Sequence, residues 1–342
     1  MHLFSHIHTG YFRFIRYLCS RKEGAEASAT DNRRTDSPTA RQTKKRTMQY
    51  NDFGTWLYSQ LGQKVQKISI NAGFTCPNRD GTVGTGGCTY CNNQTFNPEY
   101  CRTDKSITQQ LTEGKDFFRK KYPAMKYLAY FQAYTNTYGS LDSLKAKYEE
   151  ALAVEDVVGL AIGTRPDCMP ESLLDYLQEL HDSGVFILVE YGIESCNDLT
   201  LRRINRGHDH RCTCDAVRRT AARGIPVGGH IILGLPGETA DDMLATARRL
   251  SELPITILKL HQLQLIKGTR MAQEFIDHPD DFMRLTADEY VRLVCRFIAN
   301  SRPDMVFERF VSQSPPQLLA QPGWGLKNYE FVEKVKKYVL ER

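Results

Sequence analysis

Over most of its length the chain alternates between short β-rich runs and amphipathic stretches, and this rhythm restricts the possible fold more than any other feature. Strands are expected near 65–70, 127–133, 157–163, 185–192, 227–234 and 255–265, with helices near 106–121, 140–153, 170–183, 197–223 and 238–250. Strands separated by helices at intervals of roughly 30 residues pair in parallel, because each crossover returns the chain to the same end of the sheet. Ser140 and Asp142 before one helix, Pro170 and Glu171 at the start of another, and Asp198 early in a third supply suitable N-terminal chemistry. Six βα units fall short of the eight that close a full barrel. The expectation is an α/β protein built as an incomplete, open (β/α)6 barrel.

With 342 residues, 41% of them apolar, the chain can bury a core of that size. No run approaches the roughly 20 apolar residues that span a bilayer, and His2, His6, His8, Arg13 and Arg16 interrupt the apolar residues at the N-terminus. Neither a membrane anchor nor a secretory signal is expected, and the expected location is cytoplasmic. The net charge of +5 is unevenly placed: residues 1–47 hold ten Lys or Arg against four Asp or Glu, and the rest of the chain holds 35 against 36. That near-neutral remainder carries no charge signature of nucleic-acid binding. Residues 1–47, polar and aperiodic from about Arg21 to Thr47, are expected to be a disordered basic arm or a non-native extension, with Met48 as a candidate start. The expected plan is completed by a core over 48–300 and a small C-terminal cap over 301–342.

Ten cysteines without an export signal point to metal binding or to ordinary buried thiols rather than to disulfides. Three of them, Cys76, Cys88 and Cys91, fall in a stretch with Pro77 and the glycines 73, 81, 84, 86 and 87. This is a loop, and it leaves the end of the strand Val65–Ile70. Loops at strand C-termini are where α/β barrels carry their chemistry. The Cys88-x-x-Cys91 pair lets two thiolates approach one centre. Cys101 is a candidate fourth thiolate for a zinc site, but it lacks the paired neighbour of a second knuckle. Three thiolates alone suit an iron–sulfur cluster with one iron left for chemistry. Both metals stay open on the loop alone.

Polar groups also gather at the ends of the later strands: Phe131 to Tyr138, Gly163 to Asp167, Glu190 to Ser195, and Gly229 to Glu238. Any one of these is an ordinary polar strand end or turn. Four in succession after the cysteine loop imply a shared site at one rim.

With these residues in view, the chain resembles the radical SAM superfamily, and within it the YhcC-like group, which is similar to the Elongator catalytic subunit and to oxygen-independent coproporphyrinogen oxidase. The resemblance covers about residues 50–335. The usual superfamily spacing is Cys-x3-Cys-x2-Cys, whereas eleven residues separate Cys76 from Cys88 here, a long gap shared by the YhcC-like group. The implied fold is a partial TIM-like (β/α)6 barrel of the radical SAM type with a small C-terminal cap. The implied chemistry is a 4Fe–4S cluster on Cys76, Cys88 and Cys91 that reductively cleaves S-adenosylmethionine (SAM). The resulting 5′-deoxyadenosyl radical abstracts hydrogen from a substrate, with the protein aiming the radical and excluding water and oxygen.

The resemblance also implies SAM contacts. Tyr90 takes the aromatic place against the adenine. Gln132, Thr135 and Thr137 belong to the segment beneath the methionine amino group. Glu194 and Ser195 face the ribose or the methionine part, Arg206 pairs with the SAM carboxylate, His230 lies near the ribose, and Gly234 flanks the adenine. No catalytic side chain is assigned. Implied partners are SAM, a reducing donor such as flavodoxin or ferredoxin, and a tRNA whose wobble uridine side chain is the substrate. The alternative reading is a non-catalytic zinc or iron–sulfur binding or regulatory protein. Cys168, Cys196 and Cys295 are expected to be plain thiols, and Cys212 and Cys214 lack a third nearby ligand.

Overall fold

The structure is a computed structural model and describes residues 50–95, 98–119, 125–321 and 323–340. The arm expected over residues 1–47 lies outside the described residues. Eight strands form one sheet: β1 (Asn51–Asp52), β2 (Val65–Ile70), β3 (Lys126–Phe131), β4 (Val157–Thr164), β5 (Phe186–Glu194), β6 (Val227–Leu233), β7 (Ile257–Gln262) and β8 (Val306–Arg309). Their spatial order is β1-β8-β7-β6-β5-β4-β3-β2, and every neighbouring pair is parallel. The sheet curls into a half-barrel of the α/β class, a partial TIM-like barrel. It stays open because β1 and β2, consecutive in sequence, occupy opposite edges.

The six expected strands form the run from β2 to β7. β1 and β8 extend that run beyond it. They were invisible in the sequence because β1 has two residues and β8 four, too few for a periodicity to show. β8 falls within 301–342, so part of the segment expected as a cap lies in the sheet itself.

The helices are α1 (Phe53–Leu61), α2 (Ile107–Arg119), α3 (Leu141–Leu152), α4 (Glu171–Asp182), α5 (Asp198–Arg203), α6 (His210–Ala221), α7 (Ala240–Ser251), α8 (Arg270–Asp277), α9 (Ala287–Ala299) and α10 (Asn328–Leu340). The single helix expected over 197–223 is two, α5 and α6. Asn205 adopts a left-handed φ of 53° and Gly207 one of 80°, which breaks the helix and leaves Arg206 on the turn between them. Caps fix the helix starts. Asn197, Asp209 and Thr269 accept from the first turns of α5, α6 and α8, and Thr239 with Asp242 and Thr286 with Glu289 form capping boxes on α7 and α9.

The outer face of the sheet buries the main core against helices, including Leu144, Leu173, Leu177, Val217, Leu250 and Val294. α10 packs there too: Phe331 lies against Tyr290 of α9 and Trp324. The other face is layered by the period of two along each strand. Leu128, Leu188, Ile257 and Val306 pack with Leu57, Phe53 and Trp56 of α1 at the N-terminal end. Two residues further along come Tyr130, Glu190, Lys259 and Glu308, joined by Lys67. The next step brings Gln132, Gly192 and His261 to the C-terminal rim, where the functional groups gather.

Candidate active site

The cysteine loop begins where β2 ends. Arg79 N donates to Cys76 O at 2.8 Å, and Asp80 pairs with Thr85 in a small antiparallel bridge, so the long gap between Cys76 and Cys88 folds back on itself. Cys91 N donates to Cys88 O at 3.1 Å, a tight turn that keeps the second and third cysteines together. Gly87, at φ 73°, is required here: a Cβ would lie 2.9 Å from the Arg79 guanidinium. Other segments hold the loop over the rim. Thr89 N donates to Ile204 O at 2.9 Å, Asn205 Nδ2 to Gly87 O at 2.8 Å, Arg270 Nη2 to Gly87 O at 2.6 Å, and Met271 N to Thr89 O at 3.0 Å.

Beside the loop, Arg206 is 5% exposed and donates through Nη2 to Gly192 O at 2.6 Å and through Nη1 to Cys88 Sγ at 3.5 Å. Gly192 permits this approach, since its Cβ would sit 2.7 Å from Arg206 Nη2. Glu194, at φ 68°, follows a register shift between β5 and β6 and comes within 3.9 Å of the same guanidinium. A non-glycine residue at such a φ stores of order 1–3 kcal/mol of strain. Burial opposes the Arg206 charge, yet the guanidinium, facing Cys88 and Glu194, stays charged. Burial, together with Cys88 and Glu194, pushes the Tyr90 phenol well above its ordinary range, so it stays neutral.

Beneath the rim lies a buried ion layer. Glu190, 1% exposed, accepts from Lys67 at 2.6 Å, Lys259 at 2.8 Å and His230 at 3.0 Å. Glu308 accepts from Lys67 at 2.7 Å and pairs with Lys259 at 3.2 Å, and Lys259 also donates to Tyr130 Oη at 3.2 Å. Burial opposes the Glu190 charge, yet Lys259, Lys67 and His230 outweigh it and keep the carboxyl well below its ordinary value. His261 stacks on His230 with ring centres 5.3 Å apart and shares a hydrogen bond with Ser312. Burial, then His230, Arg309 and Lys259, hold His261 well below its ordinary value, so its ring is neutral.

One cavity joins these parts. Of the residues expected from the sequence, Cys76, Cys88, Cys91, Tyr90, Gln132, Thr135, Glu194, Arg206 and His230 line it. Three do not. Thr137 is buried with its hydroxyl bonded to Thr164 Oγ1 at 2.5 Å and to Cys168 O. Ser195 Oγ donates to Glu238 Oε1 at 2.5 Å, away from the cavity. Gly234, at φ 92°, turns the chain beside a neighbouring cavity lined by Leu263, Phe282 and Trp324. Arg165, in the rim segment 163–167 that the sequence marks, also lines the wall, as do residues that sequence reasoning missed: Tyr130, His261, Gln262, Gln264, Ser312 and Ser314. Arg165 forms a two-pronged pair with Asp167, 2.9 and 2.8 Å long.

Arg206 Nε and Arg165 Nη1 are buried donors with no hydrogen-bond partner among the described residues. Cys101 is not part of the wall; its thiol donates to Ser69 O at 2.8 Å, and burial pushes it up to about 12. Among the described residues no three His, Cys, Asp or Glu side chains converge as ligands of a single ion. None of the described helices is long and apolar enough to cross a membrane.

The family model of the Radical SAM superfamily matches residues 75–250, and that of the Radical_SAM C-terminal domain matches 255–341. The chain is 38% identical to YtqA of Bacillus subtilis (strain 168) over 295 residues, 86% of this chain and 90% of that one. It is 36% identical to YhcC of Escherichia coli (strain K12) over 291 residues, 85% and 92% of the two. The archaeal Elp3 of Methanocaldococcus infernus, solved with its N-terminus (1–46) deleted, shares the fold with a TM-score of 0.60 at 16% identity, covering 81% of this chain and 63% of its own. The matched segment holds the three-cysteine loop and the β3–β6 rim, and the chain therefore belongs to the radical SAM superfamily and is a radical SAM enzyme of the YhcC-like kind.

Proposed function

We propose that Cys76, Cys88 and Cys91 hold a 4Fe–4S cluster at the mouth of the half-barrel, that SAM binds beside it in the same cavity, and that the wall formed by β6, β7 and Ser312–Ser314 receives the substrate. The observation that carries this reading is the meeting of the three-cysteine loop and the partly unpartnered Arg206 in one cavity. The donor set fits the groups. A cuboidal cluster takes its cysteines on different irons, so the thiols need not converge on one point as zinc ligands would. The spare Arg206 Nε and Arg165 Nη1 suit a carboxylate such as that of the methionine part of SAM. With Cys101 engaged by Ser69 O, nothing favours a four-thiolate zinc site.

When bound, the cluster supplies the electron that breaks a SAM carbon–sulfur bond and so yields a radical able to take hydrogen from a substrate. The chain's own part is placement. Arg206 holds the carboxylate, Glu194 and Gln132 offer polar contacts to the rest of SAM, and Tyr90 contributes a neutral aromatic surface beside the cluster. The fixed charges of Lys67, Glu190, Lys259 and Glu308 close the floor to water without moving protons, because each cation has a carboxylate partner. A reducing protein such as flavodoxin or ferredoxin supplies the electron.

The substrate is a tRNA wobble uridine. Two things support this: the resemblance to the Elongator catalytic subunit, and the neutral hydrogen-bonding wall of His261, Gln262, Gln264, Ser312 and Ser314, which suits an uncharged heterocycle. The test is nucleoside mass spectrometry of tRNA from cells with and without the gene, followed by anaerobic incubation of the deletion-strain tRNA with the reconstituted protein and SAM. A wobble nucleoside missing in the deletion strain and restored in vitro supports the reading. Identical nucleoside profiles would remove tRNA as the substrate while leaving the SAM chemistry intact.

A further inference from the structure

The sulfur of Cys88 is enclosed by two side-chain donors. It is 7% exposed and receives two side-chain N–H groups, Arg206 Nη1 at 3.5 Å and Asn78 Nδ2 at 3.6 Å. Cys91 receives a longer contact from Asn93 Nδ2 at 3.8 Å and also faces the Arg79 guanidinium, and its position is only partly buried. Both donors on Cys88 are fixed at their other ends. Asn78 is 1% exposed and spends its second Nδ2 proton on Asn205 O at 2.6 Å, while Arg206 is locked to Gly192 O. Asn205 in turn ties its own side chain to Gly87 O, one residue before Cys88. The left-handed backbone at Asn205 is what presents its carbonyl to Asn78 and places Arg206 next in the chain. The donors are therefore aimed in advance rather than recruited.

We propose that Asn78 and Arg206 form a two-donor clamp on the Cys88 sulfur that raises the reduction potential of the cluster held there, making Asn78 a positioning residue for the electron-transfer step. This rests on the cluster site proposed above. The physical reason is that reduction adds negative charge, part of which resides on the cysteine sulfurs. Preorganised N–H dipoles and a buried guanidinium stabilise that charge more in the reduced state than in the oxidised one. Neither donor has to reorganise, so the whole difference acts on the potential. A purely structural role for Asn78, tying the cysteine loop to the turn at Asn205, would leave the potential unchanged.

The test is an EPR-monitored redox titration of the anaerobically reconstituted full-length protein, comparing the wild type with Asn78→Leu, Arg206→Lys and Arg206→Gln, each checked for iron and sulfide content and for its melting curve. Asn78→Leu removes the donor at similar volume, and Arg206→Lys keeps the charge without the fixed fork. At a fixed applied potential the ratio of reduced to oxidised cluster is expected to fall about tenfold in Asn78→Leu and in Arg206→Gln, equivalent to about 59 mV for a one-electron couple, with a smaller fall in Arg206→Lys. Variants that keep the cluster at the wild-type potential would overturn the clamp and leave the cluster site standing. Loss of the cluster in all three would also overturn it, making the two residues retention elements instead. A wild type that takes up no cluster would overturn both readings together.

Discussion

The two ends of the lumen are built from the same strands and do opposite work. At the N-terminal end, Leu128, Leu188, Ile257 and Val306 close around Leu57 of α1 in an apolar layer. Four residues further on, the same strands present Gln132, Gly192 and His261 to a cavity shared with three cysteines and three arginines. Between them, the Lys67, Glu190, Lys259 and Glu308 layer insulates one from the other. The contrast shows how a half-barrel separates folding from chemistry: at the N-terminal end α1 plugs the lumen with apolar side chains, while the strand C-termini and their loops present the polar groups that line the cavity. Glu194 in a left-handed conformation, and the spare donors of Arg165 and Arg206, all lie on the chemical side.

If that division holds, substitutions at the two ends should separate cleanly. The largest effect is expected from Cys88→Ala, which should abolish iron retention and reduce SAM cleavage to background with little change in the urea midpoint; a marked loss of stability would blur the division. In the insulating layer, Glu190→Leu strands Lys67 and Lys259 with a single carboxylate, and breaking such a buried network costs about 3–5 kcal/mol by urea unfolding at pH 7. The pH dependence follows from the depressed carboxyl. Its folded-state pKa lies well below the unfolded 4.5, so its stabilisation is complete above that value and is lost as pH falls toward the folded one. Unfolding of Glu190→Gln should therefore differ most from wild type at neutral pH, and the gap should narrow below pH 4.5. At the closed end, Leu57→Ala should cost about 3 kcal/mol while SAM cleavage per folded molecule stays at the wild-type level. Far from both ends, Thr286→Ala removes one capping box and should cost about 1 kcal/mol, lowering the melting temperature by a few degrees with no effect on the cavity.

The sequence carried the middle of this picture and lost its edges. The six strands from β2 to β7 were legible because each is a short β-rich run followed by an amphipathic stretch long enough to show its period. β1 and β8 are too short to show a period and owe their pairing to the sheet already formed. The cysteine loop was legible from composition, and nine of the twelve expected contact residues line the cavity. Thr137, Ser195 and Gly234 were expected beside it on motif position alone, and their neighbours in space, Thr164, Glu238 and Leu263, absorb them instead. The ion layer did leave a trace: Lys67, Glu190 and Lys259 are charges inside strands, flanked by apolar residues such as Ile68, Val189 and Leu258. That pattern marks charges paired with one another across a lumen, whereas Glu190 alone resembles a solvated strand end. His261, Ser312 and Ser314 left none, because the contact that makes them a wall joins β7 to a segment about 50 residues away.

The central claim is that the three-cysteine loop performs radical chemistry on SAM, and one measurement addresses it most directly. The protein is reconstituted anaerobically with iron and sulfide, reduced with dithionite and incubated with SAM, and 5′-deoxyadenosine is quantified by chromatography beside a variant with Cys76, Cys88 and Cys91 all changed to alanine. The account predicts 5′-deoxyadenosine from the wild type and none from the variant. Equal amounts from both, or a fully loaded wild-type protein that neither binds nor cleaves SAM, would contradict it.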